Sequence, residues 1–187
     1  MARYFDMMDN MLHPGRWVLD GPFDAQGEEI DSWQFGKGRR VELAGVPYFP
    51  MSHRGCALDI SQTGLGVPVV HGRVADILER LCGQDVQLLP ARVEGQTDPW
   101  FILNLLRVIR CIDETRCEYV EHWKPEDNRP DKVGQYRNVR GLKVDPALIG
   151  DAHIFRPWGW RVAILVSEPL KLALEEAGIT GMKYIEA

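Results

Sequence analysis

The chain has 187 residues, of which 45% are hydrophobic and 26% charged. That is enough for one globular domain burying about 70% of its unfolded surface without a disulfide or metal staple. With 22 basic against 27 acidic residues, a net of −5, it lacks the Lys/Arg surplus that general affinity for nucleic acid or an anionic membrane requires; a basic partner suits it better. Its longest purely apolar run, residues 162–166, is far below the roughly 20 residues needed to cross a bilayer. Asp6, Asp9 and Asn10 interrupt any signal-type apolar core. Cys56, Cys82, Cys111 and Cys117 have no CxxC spacing. They read as reduced thiols of a cytoplasmic protein.

In chain order, residues 3–8 and 15–19 are short strand candidates, bounded by His13-Pro14-Gly15 and Asp20-Gly21-Pro22. An acidic loop follows at 24–31, carrying Asp24, Glu28, Glu29 and Asp31. Residues 40–43 and 57–60 are further strands. The spacing of Val74, Ile77, Leu78 and Leu81 predicts a helix over 72–82, with Gly83 as its stop. Residues 85–93 alternate as a strand. The apolar stretch 100–112 fits a helix through Ile102, Leu105, Leu106 and Ile109, or a buried strand. Its β-branched content favours the strand, paired with 85–93 across a turn at 95–99. Residues 121–138, polar and broken by Pro125, Pro130 and Gly134, read as a long exposed loop.

At the carboxyl end, 161–166 is an apolar run of strand length. A helix over 167–177 follows, with Ser167 as N-cap, Pro169 in the first turn, Leu170, Ala173, Leu174 and Ala177 as its stripe, and Gly178 as its end. Residues 181–185 then alternate as a strand. The expected fold is a mixed, strand-rich α+β single domain over 1–187, β-rich to about residue 70 and α+β beyond, closing on a strand–helix–strand unit.

Chemistry is sparse. Gly64-Leu65-Gly66 lacks the third glycine of a dinucleotide fingerprint, and Gly36-Lys37-Gly38 lacks P-loop spacing. His53, Cys56 and His71 could be imagined as a zinc site or a thiol–imidazole pair. Zinc needs three or four converging ligands, and only His-x2-Cys is local. No metal or cofactor is expected. The carboxylates Asp113, Glu114, Glu121, Glu126, Asp127 and Asp131 lie among Lys124, Arg129 and Lys132, which suits a solvated surface or a docking face better than acid–base work. Trp17, Trp33 and Trp100 are expected in the core, and Trp158 and Trp160 are placed there too. Trp123 and Tyr136, among charges, fit an interface or the core equally.

The run Val166-Ser167-Glu168-Pro169-Leu170-Lys171 through Leu174-Glu175-Glu176-Ala177-Gly178-Ile179-Thr180-Gly181 resembles the closing segment of the immunity protein 11 family, formerly a domain of unknown function. Pro14-Gly15-Arg16-Trp17, the block from Val69 to Ala75, Asp85 to Pro90, Ile109 to Asp113, Trp123 to Asp127 and Lys132 to Arg137 are similar to its myxobacterial-type members. The resemblance implies a non-enzymatic antitoxin of a polymorphic toxin system, which binds and occludes a cognate toxin domain. In related systems that domain looks like a nuclease of the HNH-like kind.

On this reading Glu121, Glu126, Asp127 and Asp131 face the toxin, Trp123 and Tyr136 anchor it, and the 24–31 loop is a second candidate face. The alternatives are a small metal- or thiol-dependent enzyme around His53, Cys56 and His71, and a regulatory binding module.

Overall fold

The computed structural model describes residues 2–64 and 66–187, so Leu65 of the Gly64-Leu65-Gly66 turn lies outside the described residues. The chain runs β1 (Tyr4–Asp9), β2 (Val18–Leu19), β3 (Tyr48–Phe49), β4 (Met51–His53), β5 (Ile60–Gln62), β6 (Pro68–His71) and α1 (Gly72–Cys82). It continues through β7 (Val86–Val93), β8 (Trp100–Leu105), β9 (Val108–Ile109), β10 (Tyr119–His122), β11 (Tyr136–Arg140) and β12 (Ile154–Pro157). It closes on β13 (Leu165–Ser167), α2 (Glu168–Glu176) and β14 (Met182–Glu186). One five-stranded sheet has the order β14-β1-β13-β12-β9 and the other β3-β7-β8-β6-β5; β10-β11 and β2-β4 are separate two-stranded pairs. This is the strand-rich α+β fold expected from sequence, with the predicted strand–helix–strand at its end.

Both large sheets are covered on both faces. On β8, Phe101, Leu103 and Leu105 join a cluster with Val74 and Leu78 of α1 and Leu170 and Leu174 of α2. Trp100 and Ile102 point the other way, into a cluster with Trp17, Phe49 and Leu58. In the first sheet Val166 and Leu165 divide likewise between the helix-covered cluster and a third one holding Tyr4, Cys111 and Phe155. Strands buried on both faces read as continuous apolar runs, which is why residues 100–112 could also pass for a helix. The structure makes 86–93 and 100–105 an antiparallel hairpin, as expected.

That apolar stretch does not stay one strand. The Leu106 N–H turns to the Asp85 carbonyl at 2.8 Å, and the Arg107 guanidinium meets Asp85 at 3.4 Å and Asp151 at 3.0 Å. The chain then re-enters the first sheet as β9, parallel to β12. One run thus serves two sheets.

Other boundaries differ for local reasons. Residues 40–43 form no strand; the Val41 N–H and C=O clasp the side-chain amide of Gln87 at 2.8 and 2.9 Å, which satisfies the backbone without a ladder. The strand expected at 57–60 begins only at Ile60, that at 15–19 is reduced to its last two residues, and that at 161–166 begins at Leu165, after turns closed by Trp160 and Ala163 N–H groups. Gly83 is no left-handed stop: its φ of −54° carries the chain from α1 into a tight turn. Gly178, with φ +65°, does end α2. Ser167 holds the N-cap position of α2, but its hydroxyl bonds His153 Nδ1 at 2.8 Å instead of a helix N–H. At Gly181, φ is +108° and a Cβ would overlap the Ile60 carbonyl oxygen, so only glycine fits between α2 and β14.

A candidate docking face beside a basic cleft

Residues 121–138 are not a loop throughout. The segments 119–122 and 136–140, aromatic and β-branched, pair as an antiparallel hairpin. The connection between them is stitched by its own backbone: Trp123 and Gln135 bond at 2.9 Å, and the Asp127 carboxylate accepts the Lys124 N–H at 2.8 Å. Asn128 takes the left-handed conformation, φ 54°, at the tip. Proline and glycine here shape a wide turn between strands.

The hairpin is tied to the body through Tyr136. Its N–H donates to the Gly159 carbonyl at 3.2 Å, its ring stacks with His122 at 4.8 Å, and its hydroxyl donates to Glu114 at 2.9 Å. Burial and the Glu114 carboxylate push the Tyr136 phenol well above its ordinary range. Trp123 is half-buried, with Lys132 Nζ and the Arg137 guanidinium each 5.1 Å from its ring. Both aromatics therefore face inward in part, while lining an open cleft.

The structure brings all six expected docking residues onto this one hairpin and its turn. It also shows where their charge goes. Asp127 pairs with Arg137 at 2.7 Å, Glu121 meets the same guanidinium at 3.7 Å, and Asp131 pairs with Arg129 at 2.8 Å. Glu126 is exposed and forms no ion pair among the described residues. The acidic run is thus largely matched by its own arginines.

The cleft beneath the hairpin has a volume of about 570 Å³. It is lined by Trp123, Lys132, Tyr136 and Arg137 of the hairpin, by Arg156, Gly159, Trp160 and Arg161, and by Ser32, Trp33 and Gly36. Trp33, expected in the core, is 74% exposed at the rim. It is held there because Asp31 accepts the Trp33 backbone N–H at 2.9 Å and so caps a short turn, 32–34. Trp158 and Trp160 are half-buried, Trp158 lying under the Arg110 guanidinium. Trp17 and Trp100 are core, as expected. The 24–31 loop leads directly into the Ser32–Trp33 edge of this cleft without lining it.

No single spacing in the sequence marked this cleft. The local signal is Arg156-Pro157-Trp158-Gly159-Trp160-Arg161, a tryptophan pair bracketed by arginines with no acid between them.

His53, Cys56 and His71 serve separate elements. His53 pairs with Val18 across β2 and β4, and Cys56 bridges Arg16. His71 caps α1, its Nδ1 accepting the Arg73 N–H at 3.2 Å, and meets the Trp100 ring edge-on. Among the described residues, no three His, Cys, Asp or Glu side chains converge as a metal site. The buried thiols of Cys82 and Cys111 are pushed up to about 12 by burial, first of all, and by nearby carboxylates. No helix among the described residues is long and apolar enough to cross a membrane.

Comparison with curated proteins returned no match. The model of the immunity protein family Imm11 matches residues 1–187, the whole length. The chain belongs to the Imm11 immunity protein family.

Proposed function

We propose that this protein is the antitoxin of a polymorphic toxin system, which binds its cognate toxin domain in the cytoplasm of the producing cell and blocks it by direct occlusion, without catalysis. The whole-length family match carries this reading. The net charge of −5 favours a basic partner, and a nuclease, whose cleft must hold nucleic acid, is the toxin class we assign.

The proposed docking face is the β10–β11 hairpin, with Trp123 and Tyr136 as aromatic anchors and Glu121, Glu126, Asp127 and Asp131 as its acidic surround. Stoichiometric inhibition needs tight binding; with Glu121, Asp127 and Asp131 held by the hairpin's own arginines, Glu126 is the carboxylate left to speed encounter with a basic partner.

The test is co-expression with the toxin domain encoded beside this gene, scored by growth and by co-elution on a sizing column. Rescue with a stable complex supports occlusion. Rescue without a complex points to enzymatic or regulatory protection and overturns it. Within a complex, Glu126→Lys is the cleanest probe of the face, because Asp127 also caps the turn and holds Arg137. The expected result is a slower on-rate with a weaker salt dependence; an unchanged rate moves the interface elsewhere, the 24–31 loop first.

A further inference from the structure

Arg156 is the least expected residue of the cleft. Its side chain is only 7% exposed, yet no carboxylate lies within ion-pair distance among the described residues. One N–H donates to the Arg161 carbonyl, and Nε, itself shut off from solvent, has no acceptor among the described residues. The backbone at Gly36 presses on it so closely that a Cβ there would sit 2.5 Å from Nε. Burial, reinforced by the like charge of Arg161, brings the Arg156 guanidinium down to about 10. An ionised group buried without a counter-charge is costly, and buried polar groups are as a rule satisfied.

The surroundings deepen the imbalance. Lys132, Arg137 and Arg161 line the same cleft, and among the described residues no Asp or Glu does. Arg137 is already matched by Asp127, which leaves Lys132, Arg156 and Arg161 as uncompensated positive charge. Rings line it as well: Trp33, Trp123, Tyr136 and Trp160. A volume of about 570 Å³ is that of a small-molecule site.

We infer that this cleft binds a nucleoside phosphate, its phosphate on Arg156 and Arg161 and its base against the tryptophan rim. Three unmatched cations call for a multiply charged oxyanion, which a single carboxylate does not supply. Guanidinium forks hold phosphate oxygens in pairs. Exposed tryptophan offers a stacking face to any base. The site belongs to the isolated chain and needs no toxin, so its test is independent of the immunity reading.

Calorimetry on the full chain with AMP and ADP, against adenosine and inorganic phosphate, decides it. Both nucleotides should bind, with adenosine and phosphate each at least about 10-fold weaker. Arg156→Met should abolish binding, Arg161→Ala should weaken it about 10–100-fold, and Trp33→Ala about 5-fold or more. The last two residues are exposed, so those variants keep the test decisive if Arg156→Met fails to fold.

No heat with either nucleotide at millimolar concentration overturns the proposal. Phosphate binding as tightly as the nucleotides, or binding unchanged in Arg161→Ala and Trp33→Ala, also overturns it. So does an acidic peptide or an oligonucleotide that binds more tightly than AMP.

Discussion

Arg16 and Arg156 are buried to nearly the same degree, 9% and 7% exposed, in opposite electrostatic settings. Arg16 grips Asp9 through two contacts, 2.7 and 3.1 Å, adds the Asn10 carbonyl at 3.0 Å and reaches the Trp17 carbonyl at 3.3 Å. It closes the turn after β1 and seats Trp17, whose indole N–H donates to Ser61 at 2.8 Å. Arg156 has one carbonyl and an orphaned Nε. A buried charge that is fully paired holds a fold together, whereas Arg156 has no counter-charge among the described residues, which is the opening for the ligand proposed above. The difference separates a structural arginine from a ligand-facing one.

The largest expected effect tests the structural half. Arg16→Ala strands Asp9 in a setting where its side chain is only 15% exposed. Removing one partner of a buried pair costs about 3–5 kcal/mol, read by denaturant unfolding. A loss below about 1 kcal/mol would mean that water replaces the guanidinium, and that Arg16 is not the clamp argued for it.

Asp6 is the acidic counterpart of Arg156, a mostly buried carboxylate with no cation in ion-pair range among the described residues. Burial raises it from 3.8 to about 6, against one backbone N–H from Ile164 that favours the anion. An acid whose folded pKa exceeds its unfolded one binds more protons when folded between those values. Stability therefore falls as pH rises from about 4 to about 6, by up to about 3 kcal/mol. Asp6→Asn should remove that dependence and leave the variant more stable than the parent at pH 7. A parent whose unfolding midpoint does not move across that window would show that Asp6 is hydrated.

These contrasts explain how much could be read in advance. The two helices were legible because their apolar spacing and flanking residues act within one turn, and the 86–105 hairpin because a strand buried on both faces is apolar throughout. The hairpin at 119–140 was hidden. Its ties to the body run from Tyr136 to Gly159 and Glu114, partners distant in sequence or off the hairpin, while the polar, proline-broken stretch between its short strands has the composition of a loop. Trp33 departs from expectation for a similar reason: tryptophan usually goes inside, and the Asp31 cap turns this one out to the cleft rim. The six residues proposed for docking form a local run, but the arginines that pair with Glu121, Asp127 and Asp131, and the burial of Arg156, belong to contacts no spacing records.

The ligand-facing half of the comparison is sharpened by Arg156→Met. Replacing an unpaired buried guanidinium with an apolar chain of similar length removes a desolvated charge along with one carbonyl bond. The net change should stay within about 1 kcal/mol of the parent, and stabilisation is the expected sign. A loss as large as that of Arg16→Ala would make Arg156 structural after all, and the two arginines alike.

Trp33→Ala should change stability least. The side chain is 74% exposed, and what holds the segment is the Asp31 carboxylate on a backbone N–H that alanine keeps. Surface substitutions away from caps and cores shift stability by less than about 0.5 kcal/mol, so thermal unfolding should leave this variant and the parent nearly superimposed. A large exposed ring that contributes little to its own fold is available to stack on something else. A marked fall in the unfolding temperature would instead show Trp33 closing the cleft as part of the core, and the rim would lose its stacking face.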